Sequence, residues 1–185
     1  MKSFEKIRHK IGKRILTKKR KTLKRKICFY NLQEVKFVGI LFDARTNESF
    51  KEAKDFIAKL ASLGKEVYGL GLVEKHETVG NYSYSKDVDF FSMERLAWTG
   101  IPANPIVDKF ISLKFNMLID LTLFESLPME YIFALSQAEL KIACLKKVND
   151  ADLTIDISKN ISVKYFLEQM THYLSIMKSP QSSSL

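Results

Sequence analysis

Apolar positions change period several times along the chain, and each change marks an element. Val35–Phe42 (VKFVGILF) is apolar at nearly every position, which predicts a central strand covered on both faces. Asp43 follows at its end, and Asn47 or Ser49 is placed to cap the next helix. In that helix Phe50, Ala53, Phe56, Ile57 and Leu60 share one face, and Gly64 suits the stop. A second strand, Val67–Val73, completes a β–α–β order that implies a parallel crossover.

Residues 74–104 lose the alternation. His76, Asn81, Tyr82, Tyr84 and the DVDFF run read as a loop or irregular hairpin leading into Trp98-Thr99-Gly100-Ile101-Pro102. Order returns with a short helix over 105–114, a strand over 115–121 (FNMLIDL) and a helix over 128–137 with Pro128 in its first turn. A strand over 140–145, an alternating edge strand over 153–157 and an amphipathic helix over 162–177 follow. Strands and helices in this alternation predict an α/β fold: a three-layer, mostly parallel sheet, Rossmann-like or flavodoxin-like.

The start of the chain follows another rule. Phe4, Ile7, Ile11 and Ile15 recur at helical spacing, while Leu16, Leu23 and Ile27 continue on a face turned about 100° away. One helix therefore changes partner midway, or two short helices meet near Thr17. The expected organisation is a basic helical arm over 1–30, an α/β domain over 31–178 and a disordered tail over 179–185.

Charge sharpens that division. The 185-residue chain carries a net charge of +9, and residues 1–27 hold thirteen Lys or Arg against Glu5 alone. The rest holds seventeen Lys or Arg against twenty acids, so the body is mildly acidic. Lys10, Lys13, Arg14, Lys18, Lys19, Arg20, Lys21, Lys24, Arg25 and Lys26 are the candidate polyanion-binding residues. Such crowded like charges repel, which predicts a helix frayed until it binds. Neutralising phosphates releases counterions, an affinity for RNA or DNA that needs no sequence readout. The same basic amphipathic pattern also describes a segment lying on anionic lipid.

Several chemistries find no motif. Cys28 and Cys144 are the only cysteines and give no CxxC spacing. His9, His76 and His172 stand in three separate contexts with no HExxH, so no metal is expected. Neither GxGxxG nor GxxxxGK[ST] occurs, and no cofactor is expected. No apolar run reaches the roughly 18–20 residues of a membrane span, and Lys and Arg interrupt any secretory signal. A cytoplasmic location is expected, at most at the inner face of the membrane. Asp43 and Asp120 stand at strand ends, where open α/β sheets bind ligands, so a two-carboxylate site is conceivable beside the plain reading of turn residues. Trp98 reads as a plug at the side of the core or as a stacking surface, and Tyr82 and Tyr84 as part of a recognition loop or a lid.

Val35–Phe42, the segment LAWTGIP, and FNMLIDL followed by ALSQAELKIA together resemble an uncharacterised family of small bacterial proteins of the Bacteroidota type, a domain of unknown function. That resemblance implies no catalytic residues. The FNMLIDL…ALSQAELKIA stretch is also similar to the Rossmann-type halves of heptosyl-type glycosyltransferases, although a second domain and a Gly-rich donor site are lacking.

The expectation is a non-catalytic binding protein: the arm docks on structured RNA, foremost the ribosome, and the α/β body is an interaction or regulatory head with a protein partner of its own. The alternatives are a peripheral membrane or envelope-assembly protein anchored by the same arm, and a small enzyme using Asp43 and Asp120.

Overall fold

A computed structural model describes residues 2–75, 87–144 and 150–177. His76, Asn81, Tyr82, Tyr84 and the tail 179–185 lie outside the described residues. Helix α1 (Lys2–Arg20) comes first, then β1 (Phe37–Asp43), α2 (Asn47–Ser62), β2 (Glu66–Val73) and β3 (Val88–Ser92). After a 3-10 turn over Met93–Arg95 come α3 (Pro105–Ser112), β4 (Met117–Asp120), α4 (Leu127–Leu135), β5 (Leu140–Cys144), β6 (Leu153–Ile155) and α5 (Val163–Ile176).

Among the described residues six strands form one all-parallel sheet in the order β3-β2-β1-β4-β5-β6. That is the Rossmann order, not the flavodoxin one. Strand β1 is central and apolar on both faces because both faces are covered. Val38, Ile40 and Phe42 point to the side packed by α2 and α5, through Phe56, Leu60, Phe166 and Met170. Leu41 points to the side packed by α3 and α4, through Phe110, Met129 and Ile132. The edge strand β6 is where the alternating pattern put it.

Two local readings change. The DVDFF run is not part of a loop or hairpin: Val88–Ser92 forms the other edge strand, paired parallel to β2 from Gly69↔Val88 to Val73↔Ser92. Tertiary pairing overrides the weak alternation of so short a segment. The cap of α2 lies one residue earlier than read, where the Thr46 hydroxyl accepts the Ser49 N–H at 3.3 Å.

Helix α1 runs unbroken to Arg20, so the shift in its apolar stripe does not mark two helices. Leu23 and Ile27 lie in the irregular chain beyond its end. What α1 covers explains the composition of α4. The nine residues LPMEYIFAL are buried at every position but Glu130, as a helix apolar all round must be. The sheet covers one side of α4. Leu16 of α1, fully buried, packs with Leu127, Tyr131, Ala134 and Leu135 on the other.

Candidate functional site

Two features of α1 position the site: the closeness of its approach and the fate of its cations. Gly12 permits the approach. A Cβ there would lie 2.5 Å from the Thr99 carbonyl oxygen and 2.7 Å from Leu127 Cδ2, so a larger residue would push the helix off. Thr99 belongs to the Trp98-Thr99-Gly100 turn, which Gly100 closes at φ +80° with its N–H on the Ala97 carbonyl at 2.8 Å. The same turn offers the Trp98 carbonyl to the Arg8 Nε–H. The W-x-G segment is thus a platform for α1, and the Trp98 side chain itself stands 56% exposed.

The cations divide by helix face. Lys13 pairs with Glu130 of α4, and Arg20 with Asp150 and, at 3.6 Å, Glu130. Lys19 donates to the Tyr131 hydroxyl at 2.6 Å and sits over its ring. Beyond the helix, Arg25 pairs with Asp152 and donates to the Ala138 and Glu139 carbonyls at 3.0 and 3.2 Å. Asp152 also accepts the Lys141 backbone N–H at 2.8 Å, tying the clamp to β5. Four of the ten sequence-selected cations are therefore engaged by the body of the chain itself.

Lys10, Arg14, Lys18 and Lys21 are on the opposite face. They are exposed, make no ion pair among the described residues, and with Lys13 and Thr17 line a shallow depression of about 430 Å³. Lys10, Arg14 and Lys18 repeat every four residues, which spaces them about 6 Å apart along the axis. Lys24 and Lys26 are exposed further along.

Beneath the clamp lies a buried base that the sequence reading did not select. The Lys141 ammonium, 1% exposed on β5, donates to the Ala134 carbonyl at 2.9 Å. Burial, helped by Arg25 and Arg20, pulls its pKa down to about 7 against the opposing pull of Asp150 and Asp152. A charged residue in the apolar LKIAC strand was the signal that could have found it.

The two strand-end carboxylates each hold a partner two residues further along the chain. Asp43, buried, accepts the Arg45 backbone N–H at 3.0 Å and its guanidinium at 2.9 and 3.1 Å. That carboxylate raises the Arg45 pKa further. Asp120 accepts the Thr122 N–H and hydroxyl at 2.9 and 2.5 Å. Neither lines the crevice that opens beyond β1, β3 and β4; Arg45 does, with Arg8 and His9 of α1, Glu94 and Phe124. Among the described residues no three His, Cys, Asp or Glu side chains gather as a metal site, and no helix is long and apolar enough to cross a membrane.

No curated protein matches the chain. The sequence profile of a family of unknown function, DUF6913, matches residues 6–177, a stretch that takes in α1 from Lys6 onward.

Proposed function

The chain belongs to the DUF6913 family of unknown function, and from that premise we propose that it is a binding protein whose outer α1 face docks on structured RNA, foremost the ribosome. One observation carries this reading: a helix fixed to the body by Leu16, Gly12 and its inner ion pairs presents Lys10, Arg14, Lys18 and Lys21 outward together. A ridge that is already ordered loses little entropy when phosphates bind it, unlike a frayed arm. Lys13, Arg20 and Arg25 are neutralised by Glu130, Asp150 and Asp152, and Lys19 is held on the Tyr131 hydroxyl, so these four add little. Counting Lys24 and Lys26, about six cations remain, for which log affinity falls against log salt with a slope of about four to five. The α/β body remains as the head that meets a protein partner.

Fluorescence anisotropy of an RNA hairpin titrated with the full chain across a salt series tests this. The Lys10→Gln/Arg14→Gln/Lys18→Gln/Lys21→Gln variant is expected to lose most of the slope and to stop co-sedimenting with ribosomes. Undiminished binding by that variant sinks the reading.

A second reading has its own observation. Phe4 and Ile7 are 66% and 51% exposed at the same end of α1 as Trp98, and apolar side chains beside a cationic ridge suit an anionic bilayer surface. Flotation with anionic liposomes, lost in Phe4→Ser/Ile7→Ser, together with an absence of RNA binding, would select it.

A further inference from the structure

The crevice beyond the carboxyl ends of β1, β3 and β4 is not used by the RNA reading. Its volume, about 620 Å³, lies within the range of small-molecule sites. It also lies where ligands collect in sheets of this order. Neighbouring strands β1 and β4 send their following helices, α2 and α4, to opposite sides, and the chain parts between them.

The usual occupant of that place has no seat here. The chain leaves β1 as Asp43-Ala44-Arg45-Thr46, with no glycine to bring backbone against a pyrophosphate. The first turn of α2 is capped by its own Thr46 hydroxyl. Instead Arg45 occupies the exit, and it is held as a fixed donor. Asp43 takes its Nε and Nη2 edge, the Phe124 ring centre lies 5.1 Å from its guanidinium carbon, and Glu74 approaches Nη1 at 3.9 Å. Arg8 enters from the α1 side and lines the same crevice, its Nε–H on the Trp98 carbonyl. Ser126, the N-cap of α4, makes no side-chain bond to its helix and also lines the crevice.

The charges on the walls decide the ligand class. Among the described residues Arg8 and Arg45 share the lining with three carboxylates, Glu5, Glu94 and Glu125, so that lining has no cationic excess for a bare polyanion. A ligand with one phosphate and several hydroxyls satisfies both signs. Guanidinium donors take phosphate oxygens, and carboxylates accept from hydroxyls. We propose that this crevice binds a small sugar phosphate, its phosphate taken by Arg45 and Arg8 and its hydroxyls by Glu94 and Glu125. Asp43 is then a positioning residue, acting through Arg45.

Calorimetric titration of the full chain with ribose 5-phosphate and glucose 6-phosphate, with inorganic phosphate and ribose as separate arms, tests this. At least one sugar phosphate is expected to bind more tightly than either half alone. Arg45→Gln should weaken sugar phosphate and phosphate alike by about 10- to 100-fold. Glu94→Gln should weaken the sugar phosphate only. Arg8→Gln, on the α1 surface, repeats the Arg45 test without leaving Asp43 unpaired, should the first variant fail to fold. The outer-face quadruple variant, expected to lose RNA, should keep the sugar phosphate, so the two readings fail separately. Binding no tighter than that of inorganic phosphate, or affinity untouched in both arginine variants, overturns the assignment.

Discussion

The two faces of α1 have the same kind of residue and opposite fates. On the inner face Lys13, Lys19 and Arg20 meet Glu130, Tyr131 and Asp150, partners more than a hundred residues away. On the outer face Lys10, Arg14, Lys18 and Lys21 meet solvent. The difference separates charge from binding capacity: a cation already paired with a carboxylate must lose that pair before it gains a phosphate. The inner face makes the helix part of the fold, and the outer face is what the fold presents.

Four variants test this contrast, in order of falling cost to stability. Gly12→Val places a branched side chain where even a Cβ has no room, and should cost about 3 kcal/mol in urea melts. It should also expose α1 to limited proteolysis, since the helix leaves α4. Undiminished stability would mean that the inner face is not a packed interface. Asp152→Asn removes the carboxylate under Arg25 while keeping the shape; with both side chains only slightly exposed, about 2–3 kcal/mol should go.

The third substitution concerns the base under the clamp. The Lys141 pKa is lower in the folded chain, about 7, than the roughly 10.4 of a lysine in the unfolded chain. Between those values the unfolded state binds more protons, so this group makes stability rise with pH from about 7 to about 10, and its penalty is full below that window. Lys141→Met should flatten the rise relative to the native chain when melts are compared across the window. A slope unchanged by the substitution would place the ammonium in solvent. Last, the outer-face quadruple variant should change stability by less than about 0.5 kcal/mol per site while removing most of the salt dependence of RNA binding. A large loss of stability there would make the outer face structural as well.

Much of the framework was legible in the residues. The unbroken apolar run of β1, the helical face of α2 and the edge alternation of β6 each follow from a short window of chain, and all three stand where the pattern set them. The five residues of β3 were not legible, because a strand that short is decided by its neighbour β2 rather than by its own alternation. The docking of α1 did have a signal. Tyr131, Ala134 and Leu135 on an α4 apolar all round ask for a second cover, and Gly12 inside a helical pattern marks a close approach.

The candidate sites were legible in part. Ten cations could be selected by composition, but which four are engaged depends on Glu130, Asp150, Asp152 and Tyr131, none of which stands near them in sequence. Asp43 could be selected by its place at a strand end, but its carboxylate serves to hold Arg45, the residue that reaches the crevice.

The α/β alternation, a basic amino-terminal helix and an acidic body can all be read from short windows of chain, because periodicity and charge are local properties. Which cations are neutralised, which strand forms the edge beside β2, and that α1 and the exits of β1, β3 and β4 line a common crevice are settled when the chain packs. Each of those is a meeting of segments far apart in sequence, fixed by which buried surfaces fit together and which charges find a partner when they do.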